Sequence, residues 1–172
     1  PLIEDQQHKR QENADDIWNR ANAAIKAGGF TPRELIEKSN VSHLCTTDDP
    51  ADTLEYHKLI AEDETFDTVV APSFRPDKAF QMEKKDFPQY IEKLSAASGV
   101  EINSIASLKE AIAKRMEHFN ANGCKASDHG LNYIPFALMS EERMNEALSK
   151  ALSGEKVTEE ELQAVQTELL CF

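Results

Sequence analysis

What the sequence lacks narrows the field first. Its three cysteines, Cys45, Cys124 and Cys171, are an odd, widely spaced set with no Cys-x-x-Cys. A disulfide framework needs pairs and a structural zinc site needs a close cluster, so both are excluded and a reducing cytoplasm is the expected compartment. There is no His-x-His and no His-Glu-x-x-His, which removes a self-contained zinc site. The phosphate-binding P-loop, the Gly-x-Gly-x-x-Gly turn and the Gly-x-Ser-x-Gly nucleophile turn are missing as well. No apolar run approaches membrane-spanning length. The stretch Pro1–Arg20 is polar and acidic rather than basic-then-apolar, so no signal peptide is expected. Basic side chains are outnumbered, 19 against 31 acidic, for a net charge of -12. Nucleic acid and anionic membranes are therefore poor partners.

What is present is enough for a core: 172 residues, 40% of them hydrophobic. Apolar residues recur at helical spacing over Ala14–Ala27, with Ile17, Trp18, Ala21, Ala24 and Ile25 on one face and Gly28-Gly29 as the stop. Thr31-Pro32-Arg33-Glu34 is a helix start with a capping box. A strand is predicted over Val41–Thr46. After it Asp49 caps, and Pro50 opens, a new helix that carries Leu54, Lys58 and Ala61. A second strand, Thr68–Ala71, runs into Pro72–Asp77.

Two helices follow. One spans Phe87–Ala97 with Phe87, Tyr90, Ile91 and Leu94 inward. The other spans Leu108–Ala121, with a Ser107/Glu110 box and Leu108, Ile112, Met116 and Phe119 inward. A short third strand, Cys124–Ser127, leads into Asp128-His129-Gly130. Helices over Glu141–Leu152, and from a Thr158/Glu161 box onward, complete the pattern. Strands separated by helices predict a helix-rich α/β protein built from parallel units. Three strands neither close a barrel nor cover their own faces. Together with the non-initiator Pro1 and an end in mid-pattern at Leu169–Phe172, this leads us to expect a segment of a larger protein. Such a segment has open sheet edges that invite homo-oligomerisation.

In parallel α/β folds ligands bind beyond the carboxyl ends of the strands. Each predicted strand ends there in a polar cluster: Thr47-Asp48-Asp49, Phe74-Arg75-Pro76-Asp77 and Ser127-Asp128-His129. Arg75 offers a planar charged fork suited to a carboxylate or phosphate, or else pairs structurally with Asp77 or another acid. Asp48, Asp128 and His129 can orient hydroxyls or move protons, or else Asp48 caps the following helix and His129 satisfies loop backbone groups; Asp49 reads as a helix cap. His8, His43, His57 and His118 read as ordinary, His43 and His118 as packing residues, and Cys124 as a small buried hydrophobe.

These clusters carry a resemblance. Cys45-Thr46-Thr47-Asp48-Asp49-Pro50 with Asp52, Leu54, Glu55, His57 and Lys58 resembles a stretch of the uronate (glucuronate) isomerases. So do Pro72–Ala79 and Gly123–Leu131, in the same order, and the likeness runs from about Asp15 to the end. The resemblance implies the amidohydrolase superfamily and a distorted (β/α)8 barrel with added helices, of which about three parallel strands lie here. It assigns 41–77 and 123–131 to barrel portions and 78–122 and 132–172 to mainly helical portions. It implies interconversion of D-glucuronate with D-fructuronate and of D-galacturonate with D-tagaturonate. It also implies a divalent metal, often zinc, whose His-x-His and other ligands are expected outside this chain, so the segment alone is expected to be inactive. Arg75, Asp128 and His129 would then face the uronic acid or support its pocket, with Asp48 a further candidate. Two rival readings remain: a metal-dependent hydrolase of the same superfamily, and a non-catalytic acidic helical interaction domain.

Overall fold

The computed structural model describes residues 13–172; His8 and the polar start of the chain lie outside the described residues. The chain forms two compact units. One comprises the chain up to Ser42 together with Thr65–Thr68. Its first helix, α1 (Ala14–Ala27), has the expected bounds and ends where Gly28 and Gly29 turn to φ of 92° and 82°. Those angles suit a residue without Cβ. The expected inward face is only partly covered. Ile17, Ala21 and Ala24 are half-buried, but Trp18 is 70% and Ile25 59% exposed. A unit this small has too little surface to cover a full apolar stripe.

The second helix, α2 (Pro32–Lys38), starts from the expected capping box. Glu34 N–H donates to the Thr31 hydroxyl at 3.3 Å and Thr31 N–H to the Glu34 carboxylate at 2.9 Å. The segment Thr65–Thr68 is tied in by side chains. Thr68 Oγ1 donates to the Val41 carbonyl at 2.7 Å, and the Arg33 guanidinium lies 4.6 Å from the centre of the Phe66 ring.

The other unit, His43–Glu64 with Val69–Phe172, holds the sheet and the main core. Strands β1 (His43–Asp48) and β2 (Val69–Phe74) pair in parallel, in register from His43 with Val69 to Asp48 with Phe74. Both run further toward their polar ends than the side-chain pattern predicts. Backbone pairing does not depend on side-chain type, and Arg75 N–H continues it by donating to the Asp48 carbonyl at 3.0 Å.

The expected third strand is not formed. Cys124–Ser127 contributes a single parallel bridge, Ser127 with Phe74, through two hydrogen bonds of 3.0 Å from Phe74 N–H to Ala126 O and from Asp128 N–H to Phe74 O. The chain leaves its preceding helix by a turn at Gly123, and Cys124 N–H is still bonded to Phe119 O. It therefore reaches the sheet only at the tip of β2. This second unit is helix-rich α/β, built around a two-stranded parallel sheet.

The helix after β1 also starts later than expected. Asp49 Oδ1 accepts from Ala51 N–H at 2.9 Å and Asp52 N–H donates to Asp49 O at 2.8 Å, which makes a local turn. Leu54, with φ 57°, interrupts the chain before α3 (Glu55–Ala61) begins. So Asp49 caps a turn rather than a helix.

Four longer helices build the core: α4 (Phe87–Ser98), α5 (Ile105–Ala121), α6 (Glu141–Leu152) and α7 (Glu159–Leu170). Phe80, Phe87, Leu94, Ile105, Leu108, Phe119, Leu148 and Val165 are fully enclosed among them. Each such side chain contributes about 1.5–3 kcal/mol by leaving water. Phe119 packs edge-on against Phe74 with ring centres 5.0 Å apart, which joins the helical layer to the tip of the sheet.

Helix α5 starts three residues before its expected first residue. Its cap is Ser104 with Ser107, and the Ile105 N–H is taken by Asn145 of α6 at 2.8 Å. On its inner face Leu108, Ile112 and Phe119 are buried as expected, but Met116 is 48% exposed and Arg115 is buried. At the other end of the chain the expected Thr158/Glu161 box opens α7. Lys150, donating at 2.7 Å, and the Thr158 amide together lower the Glu161 pKa to about 2. Among the described residues no helix is long and apolar enough to cross a membrane.

Candidate functional site

The polar residues that follow β2 and the bridge are joined by two ties. In the first, Arg75 Nη2 donates to Asp128 Oδ2 at 2.6 Å, and the same oxygen accepts from the Thr47 hydroxyl at 3.1 Å. Residues from all three predicted strand ends thus meet on one carboxylate. The Arg75 hydrogen bond is the main reason that Asp128 titrates below the ordinary carboxylate range, and Thr47 and the nearby positive charge add to it. Asp128 in turn raises the Arg75 pKa. Both side chains remain partly open, 40% for Arg75 and 34% for Asp128. Arg75 uses one of its five N–H groups on Asp128; its Nε is buried without a partner among the described residues.

In the second tie, the buried Asp77 carboxylate holds the loop that carries His129. Its Oδ1 lies 3.0 Å from His129 Nδ1, and its Oδ2 accepts from Gly130 N–H at 2.6 Å. A Cβ on residue 130 would stand 3.1 Å from Asp77 Oδ2, so glycine is what permits this approach. Arg75 therefore pairs with Asp128, while the acid next to it along the chain, Asp77, serves the histidine.

Asp48 does not join this group. Successive strand side chains point to opposite faces, and Thr46 and Asp48 share the face opposite Thr47. The Thr46 hydroxyl donates to Asp48 Oδ2 at 2.6 Å and lies 2.7 Å from His57 Nε2. Of the four candidates, then, Arg75, Asp128 and His129 come together at the tip of β2, and Asp48 is engaged with Thr46 and His57. His118, half-buried, bonds the Thr53 carbonyl at 3.3 Å, and burial lowers its pKa. His43 is exposed and Cys124 half-buried.

A family model for glucuronate isomerase matches residues 4–172. The chain belongs to the glucuronate isomerase family. It is 42% identical over 156 residues to the uronate isomerase of Lachnospira eligens, covering 91% of this chain and 33% of that one. With the uronate isomerase of Histophilus somni it shares 44% identity over 162 residues, 94% of this chain and 35% of that one. The crystal structure of uronate isomerase from Thermotoga maritima superposes with a TM-score of 0.80 at 32% identity, over 93% of this chain and 35% of that one. Glucuronate isomerase from Caulobacter crescentus gives 0.79 at 29% identity, over 95% and 34%. The chain spans about a third of the length of the curated relatives it matches.

The divalent metal that membership in the glucuronate isomerase family implies does not fit the residues described. Among them no three His, Cys, Asp or Glu side chains gather where they could hold a metal ion. A cavity of about 370 Å³ lies beside the bridge, lined by Phe74, Met116, Phe119 and Cys124 among others, and neither Arg75 nor His129 borders it.

Sequence reasoning missed Arg115. Its guanidinium donates to the carbonyls of Pro50 at 2.6 Å, Asp52 at 2.8 Å and Ala97 at 2.9 Å, and so anchors the turn after β1 to α4. Burial lowers its pKa, with the Asp52 charge opposing. The stripe Leu108, Ile112, Phe119 was the available signal, since either 115 or 116 can complete it, and the methionine was the apolar choice.

Proposed function

We propose that this chain supplies one portion of a uronate isomerase, an enzyme that interconverts D-glucuronate with D-fructuronate and D-galacturonate with D-tagaturonate. The observation that carries the reading is Arg75. It sits at the carboxyl tip of a parallel strand, is held at one nitrogen by Asp128, and has guanidinium surface open to solvent. A planar, permanently charged fork so placed suits the carboxylate of a uronic acid. Asp128, kept ionised by the same contact, accepts from a sugar hydroxyl. His129 lies beside it.

In this reading the two strands and the bridge are part of a (β/α)8 barrel, and α4–α7 are scaffold. A divalent metal, if held by residues outside this chain, would supply polarisation of the substrate's carbonyl and hydroxyl oxygens. The three free cysteines fit a reducing cytoplasm.

The test is made on the full-length polypeptide that carries these residues. It should convert D-glucuronate to D-fructuronate. Arg75→Ala should raise KM by roughly 10- to 100-fold, as loss of a charge-assisted hydrogen bond predicts. Arg75→Lys should recover only part of that loss. An unaltered KM in Arg75→Ala would remove Arg75 from the site, and absence of any conversion by the parent would overturn the reading. The 172-residue chain with added zinc should show no conversion; turnover would overturn the claim that the ligands lie elsewhere.

A further inference from the structure

Asp77 stands between two cations in the chain and bonds neither of them. Arg75 goes to Asp128, and Lys78 goes to Asp49 at 3.1 Å. Its own partners are His129 Nδ1 and Gly130 N–H, and its side chain is 9% exposed. A carboxylate only accepts hydrogen bonds, so Nδ1 must carry the proton. In the neutral ring Nε2 is then the bare acceptor. The His129 side chain is 31% exposed and leans against Phe80, ring centres 6.3 Å apart. Among the described residues Nε2 has no hydrogen-bond partner.

We infer that Asp77 is a positioning residue, which fixes the His129 tautomer so that Nε2 accepts a hydroxyl of the ligand held by Arg75. The ligand class rests on the proposed uronate site; the tautomer does not. The Gly130 contact makes the inference sharp. Gly130 N–H is a main-chain donor aimed at Asp77 Oδ2 at 2.6 Å. In Asp77→Asn the amide oxygen must face that donor, so the amide NH2 faces His129 Nδ1. Nδ1 must then accept, and the proton moves to Nε2. The substitution keeps both hydrogen bonds and the shape of the loop while turning Nε2 from acceptor to donor.

The experiment is long-range 1H–15N correlation on histidine-labelled full chain, with His129 assigned by its loss in His129→Gln. Neutral His129 should carry its proton on Nδ1 in the parent and on Nε2 in Asp77→Asn, with the rest of the spectrum preserved. An Nε2–H tautomer in the parent, or an unchanged tautomer in a folded Asp77→Asn, would overturn the inference. In the full-length polypeptide, Asp77→Asn should raise KM for D-glucuronate about tenfold and change kcat by less. A fall in kcat with KM unchanged would overturn the acceptor role. If the parent polypeptide does not isomerise uronates, the substrate reading fails while the tautomer result still decides the positioning role.

Discussion

Two Asp–His pairs stand at the ends of neighbouring strands, and they are wired in opposite senses. In Asp77–His129 the contact is direct, 3.0 Å through Nδ1, and the distal nitrogen has no partner among the described residues. In Asp48–His57 the same distal nitrogen points inward, 3.8 Å from the carboxylate, with the Thr46 hydroxyl between them. That hydroxyl has one proton to give, and gives it to Asp48, so His57 Nε2 must donate to it. Residue type is identical in the two pairs; the nitrogen that is consumed differs. A histidine whose distal nitrogen is spent inside the fold stabilises it, whereas one held only by its proximal nitrogen can address a ligand.

The largest expected difference is between the two carboxylates. Asp77→Ala strands Gly130 N–H and releases His129, and should cost about 2–4 kcal/mol in urea unfolding. Asp48→Ala should cost about 1 kcal/mol. Equal losses would mean that the direct and bridged pairs are energetically alike. Gly130→Ala should cost about 1 kcal/mol, because the added methyl meets Asp77 Oδ2 at 3.1 Å. In an Asp77→Ala background that cost should nearly vanish, and a double-mutant cycle reads the coupling directly.

Thr46→Val removes the bridging hydroxyl at constant volume. It should lower stability by roughly 0.5–1.5 kcal/mol and leave the His129 resonances unmoved. A shift at His129 would show that the pairs are not independent. The smallest effect is electrostatic and sits beside His129. Because the folded Asp128 pKa is depressed, its contribution to stability is fully present above the unfolded carboxylate value and is lost as pH falls through the folded one. Arg75→Met should move the Asp128 carboxyl titration, followed by 13C NMR, back upward. An unmoved titration would leave the 2.6 Å contact without electrostatic consequence.

Much of the helical frame was legible in the residues. Thr31/Glu34 and Thr158/Glu161 satisfy first-turn amides within a few residues of chain, and the stripe Phe87, Tyr90, Ile91, Leu94 repeats at the helical period. The polar clusters after the strands were legible too, because a parallel sheet sends its ligand-facing residues to one edge. The third strand was not. Cys124–Ser127 has a short strand-like pattern, but where it touches β2 depends on the turn at Gly123 and the end of α5. Neither was the exchange of Met116 for Arg115, which depends on three carbonyls from α4 and the loop after β1.

By itself, then, the sequence determined what is local: caps, helical faces, two strands, and an arginine, an acid and a histidine near strand ends. Only the tertiary structure decided the partners. Arg75 lies two residues from Asp77 yet bonds Asp128, 53 positions away, and Asp77 is left to His129. Hydrogen bonds are satisfied by whatever the packed chain brings within about 3 Å, and that distance is set by the fold rather than by neighbourhood along the chain.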